Sequence, residues 1–295
     1  MLSYRVPGST TNLGHGFDCL GIALGVSNVI SVEPRGDDLI VAPDAPDEGL
    51  ARMTATVRDA CAKRWGVALP GLTVRVGGDV PVARGMGSSS TIYLGVTAAC
   101  QRLAGHAFIK QELLEVVASE EGHPDNAAAA CMGGFTIVAA TPEGLRWSRF
   151  EVPAELVAVV AIPPFEARTI DARRILPPEV SRADFVRGLQ RSALITALLA
   201  SGRIGELSGL FDDAWHEHYR ALVNPGLIEA RAAAHAAGAI GTILSGSGST
   251  VLSFSLRERA AAVASAVAGS YRVRGVNTEV RTLAFNNAGV ERVDC

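Results

Sequence analysis

An α+β fold in two units is what the sequence predicts for this chain. Residues 1–140 order as strands, helix, strand, helices, strand, which packs helices on one mixed sheet. A polar, turn-rich stretch, TPEGLRWSRFEVPAE at 141–155, then interrupts the pattern. Beyond it, strands alternate with helices in the manner of an antiparallel sheet with helical cover. The two units are therefore 1–155 and 156–295, and a chain of 295 residues is long enough for both.

The elements follow from periodicity and punctuation. A first strand over 2–7 ends at Pro7, and further strands fall at 29–33, 39–42, 71–76 and 134–140. Helical spacing marks 51–65, 88–103, 109–121 and 124–132. The segment 141–155 covers a hairpin edge and the passage to the second unit. There a strand at 156–162 precedes helices at 184–201, 203–214 and 226–238. Strands at 241–245 and 250–255, a helix at 256–269 and a strand at 278–284 complete it.

Bulk properties exclude several classes. A hydrophobic content of 48% and a mean hydropathy of +0.24 describe a chain with a large core. A net charge of −3 leaves no basic footprint for nucleic acid, and no Lys/Arg cluster suits an anionic membrane. Five scattered cysteines (Cys19, Cys61, Cys100, Cys131, Cys295) form no CxxC and read as reduced thiols. The start, MLSYRVPGS, lacks the apolar run of a signal peptide, and no stretch approaches a membrane span.

Four stretches carry chemistry. In VPGSTTNLGHGFDCLGIAL, 6–24, Asn12 and Asp18 sit in a Gly-punctuated loop between strand-like segments. Asp18 can accept from an ammonium group, although taken alone the stretch reads first as an Asx-capped turn. In PVARGMGSSSTIYLGV, 81–96, Gly85, Gly87, Ser88, Ser89, Ser90 and Thr91 crowd a helix start. Unpaired N–H groups and the helix dipole make phosphate a natural guest there. A Ser-capped helix after a Gly turn is the plain alternative. The stretch lacks the lysine of the common nucleotide-binding P-loop, so backbone would supply the positive field. In ELLEVVASEEGHPDNAAAACMGG, 112–134, Glu115 is a candidate magnesium ligand, and His123, Asp125 and Asn126 open a helix. One helix cap explains one of these three, not all. In LSGSGSTVLSF, 244–254, Gly246 and Gly248 link two strands, either as a hairpin or as a loop over a nucleotide. His216 and His218 in WHEHYR suit opposite sides of a helix better than one metal, and Trp215 reads as core.

Together and in this order, these stretches resemble the GHMP kinases, and within them the homoserine kinase branch. TIDARRILP at 169–177 and HYR at 218–220 extend the likeness to almost the whole chain. The resemblance implies a mixed sheet with helices in the first domain and a ferredoxin-like α/β sandwich in the second. It implies ATP and magnesium as cofactors. Pro81, Arg84, Gly85, Gly87, Ser88, Ser89 and Ser90 would hold the triphosphate, with Ser89 and Glu115 on the metal. Asn12, Asp18, His123, Asn126, Thr169, Arg173 and Arg220 would line the amino-acid site, and Gly246 and Gly248 the late loop. Asn126 and Arg173 would be catalytic. Two arginines suit a carboxylate and Asp18 an ammonium. The implied partners are a small hydroxy amino acid and a second copy of the chain in a homodimer, without nucleic acid or membrane, in the cytoplasm.

The implied reaction is phosphorylation of the L-homoserine side chain, a step of threonine biosynthesis. Asn126 stands where other GHMP kinases place Asp, and Asn takes no proton at neutral pH. The hydroxyl proton then passes late, to the transferred phosphate, with Asn126 orienting the alcohol. A base at Asp125 or Asp18 is the other account. Gly8, His15, the run Ser90-Thr91-Ile92, Ser249 and the segment 50–57 depart from the family pattern. His15, near Asn12 and Asp18, would be able to reshape the acceptor pocket. Two other readings therefore stand beside homoserine: a kinase for another hydroxylated amino acid such as threonine or a specialised-pathway intermediate, and a non-catalytic ATP-binding sensor.

Overall fold

The computed structural model describes residues 1–45, 48–213 and 215–293. Cys295 and Ala214, the last residue of the expected 203–214 helix, lie outside them. The chain opens on a long hairpin, β1 (Leu2–Asn12) and β2 (Gly16–Pro34). The first strand thus runs past Pro7 to Asn12, and Asp18, expected in the loop between the strand-like segments, lies on the second strand. Thr10 and Thr11 are β-branched and suit a strand, and the reversal is confined to the three residues between Asn12 and Gly16, which face each other. Asn12, Leu13 and Gly14 make that tight turn at φ 71°, 43° and 76°.

A short β3 (Ile40–Val41) leads to α1 (Gly49–Trp65), then β4 (Leu72–Gly78), α2 (Ser88–Leu103), α3 (Lys110–Glu121) and α4 (Asp125–Met132). The hairpin of β5 (Phe135–Thr141) and β6 (Gly144–Phe150) occupies the polar segment. These strands form one sheet in the order β11-β1-β2-β4-β3, with β5 on β2 and β6 on β5; β11 is Glu291–Val293. Only β3 and β4 run parallel among its pairs, so the sheet is mixed. Tyr4, Val6, Ile30 and Val32 bury one face of β1 and β2 against Val57, Leu94, Leu113 and Leu114 of the helices.

The second unit begins with β7 (Leu156–Ile162), buried throughout. Helix α5 (Thr169–Arg174) and helix α6 (Arg182–Ala200) follow. The expected helix over 203–214 is instead a single turn at Ile204–Glu206 and then irregular chain to Asp213. Gly209 adopts φ 79°, which no right-handed helix accommodates. Next come α7 (His216–Arg220), α8 (Leu227–Ala236), β8 (Gly241–Leu244), β9 (Val251–Leu256), α9 (Ala260–Val273) and β10 (Glu279–Leu283). The sheet order β10-β7-β9-β8, all antiparallel, with α8 and α9 as the crossovers, is the ferredoxin-like arrangement. Period-two alternation on β7 splits the core. Val157, Val159 and Ala161 meet α8 and α9, whereas Ala158, Val160 and Ile162 face Leu20, Ile22 and Leu24 of β2 and Leu198 of α6.

The two sheets therefore share an apolar layer. We propose the boundary at 155/156 for the two domains, with β11 returning across it to pair with β1.

Close approach of α2 to the first sheet depends on Gly95. A Cβ there would stand 2.4 Å from the Cβ of Ile30. Gly95→Val is expected to destabilise the fold by about 1–3 kcal/mol through overpacking, read as a lower denaturation midpoint with an unchanged m-value.

Candidate active site

A cavity of about 320 Å³ opens where the β1–β2 turn, the 82–89 loop, the starts of α4 and α5, helix α7 and the 246–247 loop converge. Asn12, Asp18, His123, Asn126, Thr169, Arg173 and Arg220 all line it, together with Arg84, Gly85, Gly87, Ser88, Ser89 and Gly246. Four expected residues do not. Pro81 lines a separate groove. Gly248 packs behind the wall, where a Cβ would stand 2.6 Å from Asn224 Oδ1. Ser90 is buried and gives its hydroxyl to Glu121. Glu115 is paired with Arg64 at 2.5 Å and bonded by Gln111, on a different face of α3.

The carboxylate that reaches the glycine-serine loop is Glu121. Ser89 Oγ and Ser90 Oγ donate to its two oxygens at 2.6 Å each. Helical geometry explains the correction: Glu115 and Glu121 are six residues apart, about 240° around α3, so they cannot share a face. Burial raises the Glu121 carboxyl above its usual range, and the two hydroxyls and His123 offset part of that.

At the N-terminus of α2, Gly87 takes φ 70° and no side chain caps the helix. A Cβ on Gly87 would collide with Ser9 Oγ at 2.3 Å, and one on Gly85 with the Ser245 carbonyl oxygen at 2.1 Å. These two glycines hold the loop between the hairpin and the late loop and leave the leading N–H groups of α2 toward the cavity. Arg84 spends its guanidinium on the carbonyls of Pro163, Pro164 and Val82, so it braces the loop.

The start of α4 is fully tied. Asp125 Oδ1 accepts from the Asn126 N–H at 2.9 Å and contacts His123 Nδ1 at 3.0 Å. Burial alone would lower the His123 pKa, but the Asp125 hydrogen bond and charge, with Glu121, raise it. Ser9 Oγ donates to Asn126 Oδ1 at 2.9 Å, and Asn126 Nδ2 donates to Thr11 Oγ1 at 3.3 Å.

The opposite end is cationic. Arg173 makes a bidentate pair with Asp18, Nη1 to Oδ2 at 3.0 Å and Nη2 to Oδ1 at 2.5 Å. Arg220 is 2% exposed. Its Nε donates to the Ala172 carbonyl at 3.2 Å and its Nη1 to the Gly246 carbonyl at 2.9 Å. Burial, and then repulsion from Arg173, lower its pKa to about 10. Both guanidinium carbons sit over the Phe17 ring, at 5.2 Å and 5.3 Å. Sequence reasoning passed over Phe17, and its place between Gly16 and Asp18 was the available signal.

His216 was also passed over as a functional residue. Its Nε2–H donates to the Gly14 carbonyl at 2.9 Å, and its Nδ1 lies 3.3 Å from Arg220 Nη1. A carbonyl cannot donate and a guanidinium cannot accept, so the imidazole is neutral with its proton on Nε2. Burial, with Arg220 adding to it, lowers its pKa to about 4. His15 turns away from the acceptor cavity to Asp213 and the Asp212 carbonyl.

Residues 52–134 match the family model of the GHMP kinases N-terminal domain, and residues 194–273 that of the GHMP kinases C-terminal region. The chain is 36% identical over 299 residues to a homoserine kinase of Trichormus variabilis, covering 98% of this chain and 97% of that one. It is 39% identical over 257 residues to a homoserine kinase of Deinococcus radiodurans, covering 85% and 83%. Among solved structures, homoserine kinase from Cytophaga hutchinsonii has a TM-score of 0.88 at 22% identity, over 99% of this chain and 97% of that one, a likeness of fold.

The lowered His216 pKa sets a stability window. Its neutral form contributes fully above the ordinary imidazole pKa of 6.5, and that contribution is lost as the pH falls to about 4, because the unfolded chain takes up the proton first. His216→Gln is expected to flatten the fall in stability across that window, measured as urea midpoints at successive pH values.

Proposed function

This chain belongs to the GHMP kinase family of ATP-dependent kinases, and on that premise we propose that it transfers the γ-phosphoryl group of ATP to the side-chain hydroxyl of L-homoserine. The observation that carries the reading is the polarity of one cavity. One end offers a helix start with Ser89, whose hydroxyl is backed by Glu121, and the other offers two guanidiniums and a carboxylate around Phe17. The names of the relatives support it.

The triphosphate fits the uncapped start of α2, where backbone N–H groups and the dipole supply positive potential. Ser89 Oγ and the Glu121 carboxylate are hard oxygen donors in contact with each other, and they fit magnesium. We assign them as its protein ligands, with Glu121 in place of Glu115. Bound there, the ion would neutralise charge on the phosphates. Among the described residues, no three His, Cys, Asp or Glu side chains converge on a metal position, which suits an ion held chiefly by its nucleotide.

Arg173 and Arg220 receive the acceptor carboxylate, and Asp18 its ammonium. This leaves the hydroxyl toward Asn126 and the α2 start. Asn126 has one N–H left for the alcohol, because Oδ1 is engaged by Ser9 and the other N–H by Thr11. It orients the alcohol oxygen and takes no proton. Asp125 and Asp18 are both engaged, by His123 and Arg173. The hydroxyl proton therefore passes to a phosphoryl oxygen as the loose transition state collapses. Action in the cytoplasm as a homodimer completes the proposal.

With ATP and magnesium, L-homoserine is expected to release ADP faster than L-threonine, L-serine or a longer hydroxy amino acid. Turnover with one of those and none with homoserine would replace the acceptor. ATP binding without turnover on any of them would favour the sensor reading.

Glu121→Gln is expected to lower kcat at least about tenfold, about 1.4 kcal/mol, and to raise the magnesium requirement. Glu115→Gln is expected to leave both within about twofold, since it removes only a surface ion pair. Steady-state kinetics against magnesium concentration separate the two carboxylates.

A further inference from the structure

Two groups assigned here to the acceptor's opposite charges are already bonded to each other. The Asp18 carboxylate and the Arg173 guanidinium form two parallel hydrogen bonds across the mouth of the acceptor end. They come from opposite walls, Asp18 from β2 and Arg173 from α5. Each side chain is about one third exposed, 33% and 35%, so the pair faces the cavity and is not part of the core.

Neither backbone is free to withdraw. Asp18 holds φ 55°, with its N–H donating to Asn12 Oδ1 at 3.2 Å, and Asn12 is itself fixed by donating to the Gly246 carbonyl at 3.0 Å. Helix α5 is held at the Ala172 carbonyl by buried Arg220. Only the side chains can part. A guanidinium leaving Asp18 keeps the Phe17 ring beneath it, 5.2 Å from its carbon.

We propose that the Asp18–Arg173 ion pair is an internal competitor for the acceptor and acts as its specificity filter. This rests on the acceptor reading above. A zwitterionic α-amino acid exchanges one ion pair for two: its ammonium takes Asp18 and its carboxylate takes Arg173. A ligand with one charge breaks the same pair and satisfies only one half, leaving the other charge unpaired in a half-buried site. The asymmetry between a formed and an abandoned polar partner then penalises hydroxy acids and amino alcohols beyond the contact they lack. Arg220 gives up no partner in the exchange: its Nε and Nη1 stay on their carbonyls while its charge faces the incoming carboxylate.

The exchange predicts gains as well as losses, which a structural role for the pair would not produce. The probes are L-homoserine, 4-hydroxybutanoate (no ammonium) and 3-aminopropan-1-ol (no carboxylate), with ATP and magnesium. Wild-type protein is expected to favour homoserine over either analogue by at least about a hundredfold in kcat/KM. Asp18→Asn frees Arg173, so homoserine is expected to fall about tenfold or more while 4-hydroxybutanoate rises about fivefold over wild type. Arg173→Gln frees Asp18, and 3-aminopropan-1-ol is expected to rise in the same way. Calorimetric binding of the three compounds reads the same exchange without phosphoryl transfer. Analogue affinities that stay level or fall in both variants overturn the proposal. Wild-type protein inert toward homoserine, with analogue gains present in the binding data, would overturn the acceptor reading and leave the exchange standing.

Discussion

Burying the Arg220 guanidinium is the constraint on which the acceptor end of this molecule depends. A charge taken out of water is tolerated only when its donors are matched. Here the partners come from four segments: the Ala172 carbonyl in α5, the Gly246 carbonyl in the late loop, His216 one turn earlier in α7, and the face of Phe17 in the hairpin. None of those segments can shift without exposing a donor. The left-handed residues of the β1–β2 turn serve the same end, since Gly14 must present its carbonyl to His216. A neutral imidazole is the one ionisation state compatible with both of its neighbours.

The nucleotide end is built on the opposite economy. It relies on backbone and small side chains, because phosphate recognition by a helix start needs close approach more than it needs charge. Gly85 and Gly87 permit that approach, and the Ser9 hydroxyl and the Ser245 carbonyl oxygen fill the space a side chain would have taken. Ser245 Oγ donates to the Gly85 carbonyl at 2.7 Å, so the late loop of the second unit fixes the phosphate loop of the first. Arg84 follows from this economy. Its guanidinium is used as a strut on the Pro163 and Pro164 carbonyls.

Much of this was legible in the sequence. Where one short signal decides an element, reading it was enough: the α2 boundaries 88–103 and the strand 156–162 coincide with the structure. Thr169, Arg173 and Arg220 were reached through the family resemblance and not through a local signal, and the structure brings them to one cavity with Asn12 and Asp18. The misses have a common cause. Glu115 and Glu121 differ by their angle around α3, and a helix with a weakly apolar first turn gives no phase to choose between them. The loop around Asn12 and Asp18 looked longer than it is because glycines and short polar residues hide the strand on either side of a three-residue turn. Phe17 looked apolar and therefore structural, yet its π face is what two guanidiniums share. Helices α5 and α7 are six and five residues long, below the length at which periodicity shows.

The identity of residue 126 governs the proton traffic of the proposed reaction. Its side-chain amide is oriented by Ser9 and Thr11, one donating to Oδ1 and the other accepting from Nδ2. The remaining N–H is a donor, so the group can meet an alcohol oxygen or a phosphoryl oxygen but can take a proton from neither. A carboxylate at this position would have no N–H to offer the alcohol, and it would stand beside Asp125 at the same helix start. Two adjacent carboxylates facing an incoming phosphate repel both it and each other. An amide avoids that cost, and in a loose phosphoryl transfer little is forfeited, because the alcohol need not ionise before the phosphorus–oxygen bond to the leaving group has lengthened. The neutral side chain thus belongs with the electrostatics around it: in the proposed reaction the acceptor's charges are met at Asp18, Arg173 and Arg220, and the reacting end is left without a fixed negative charge at residue 126.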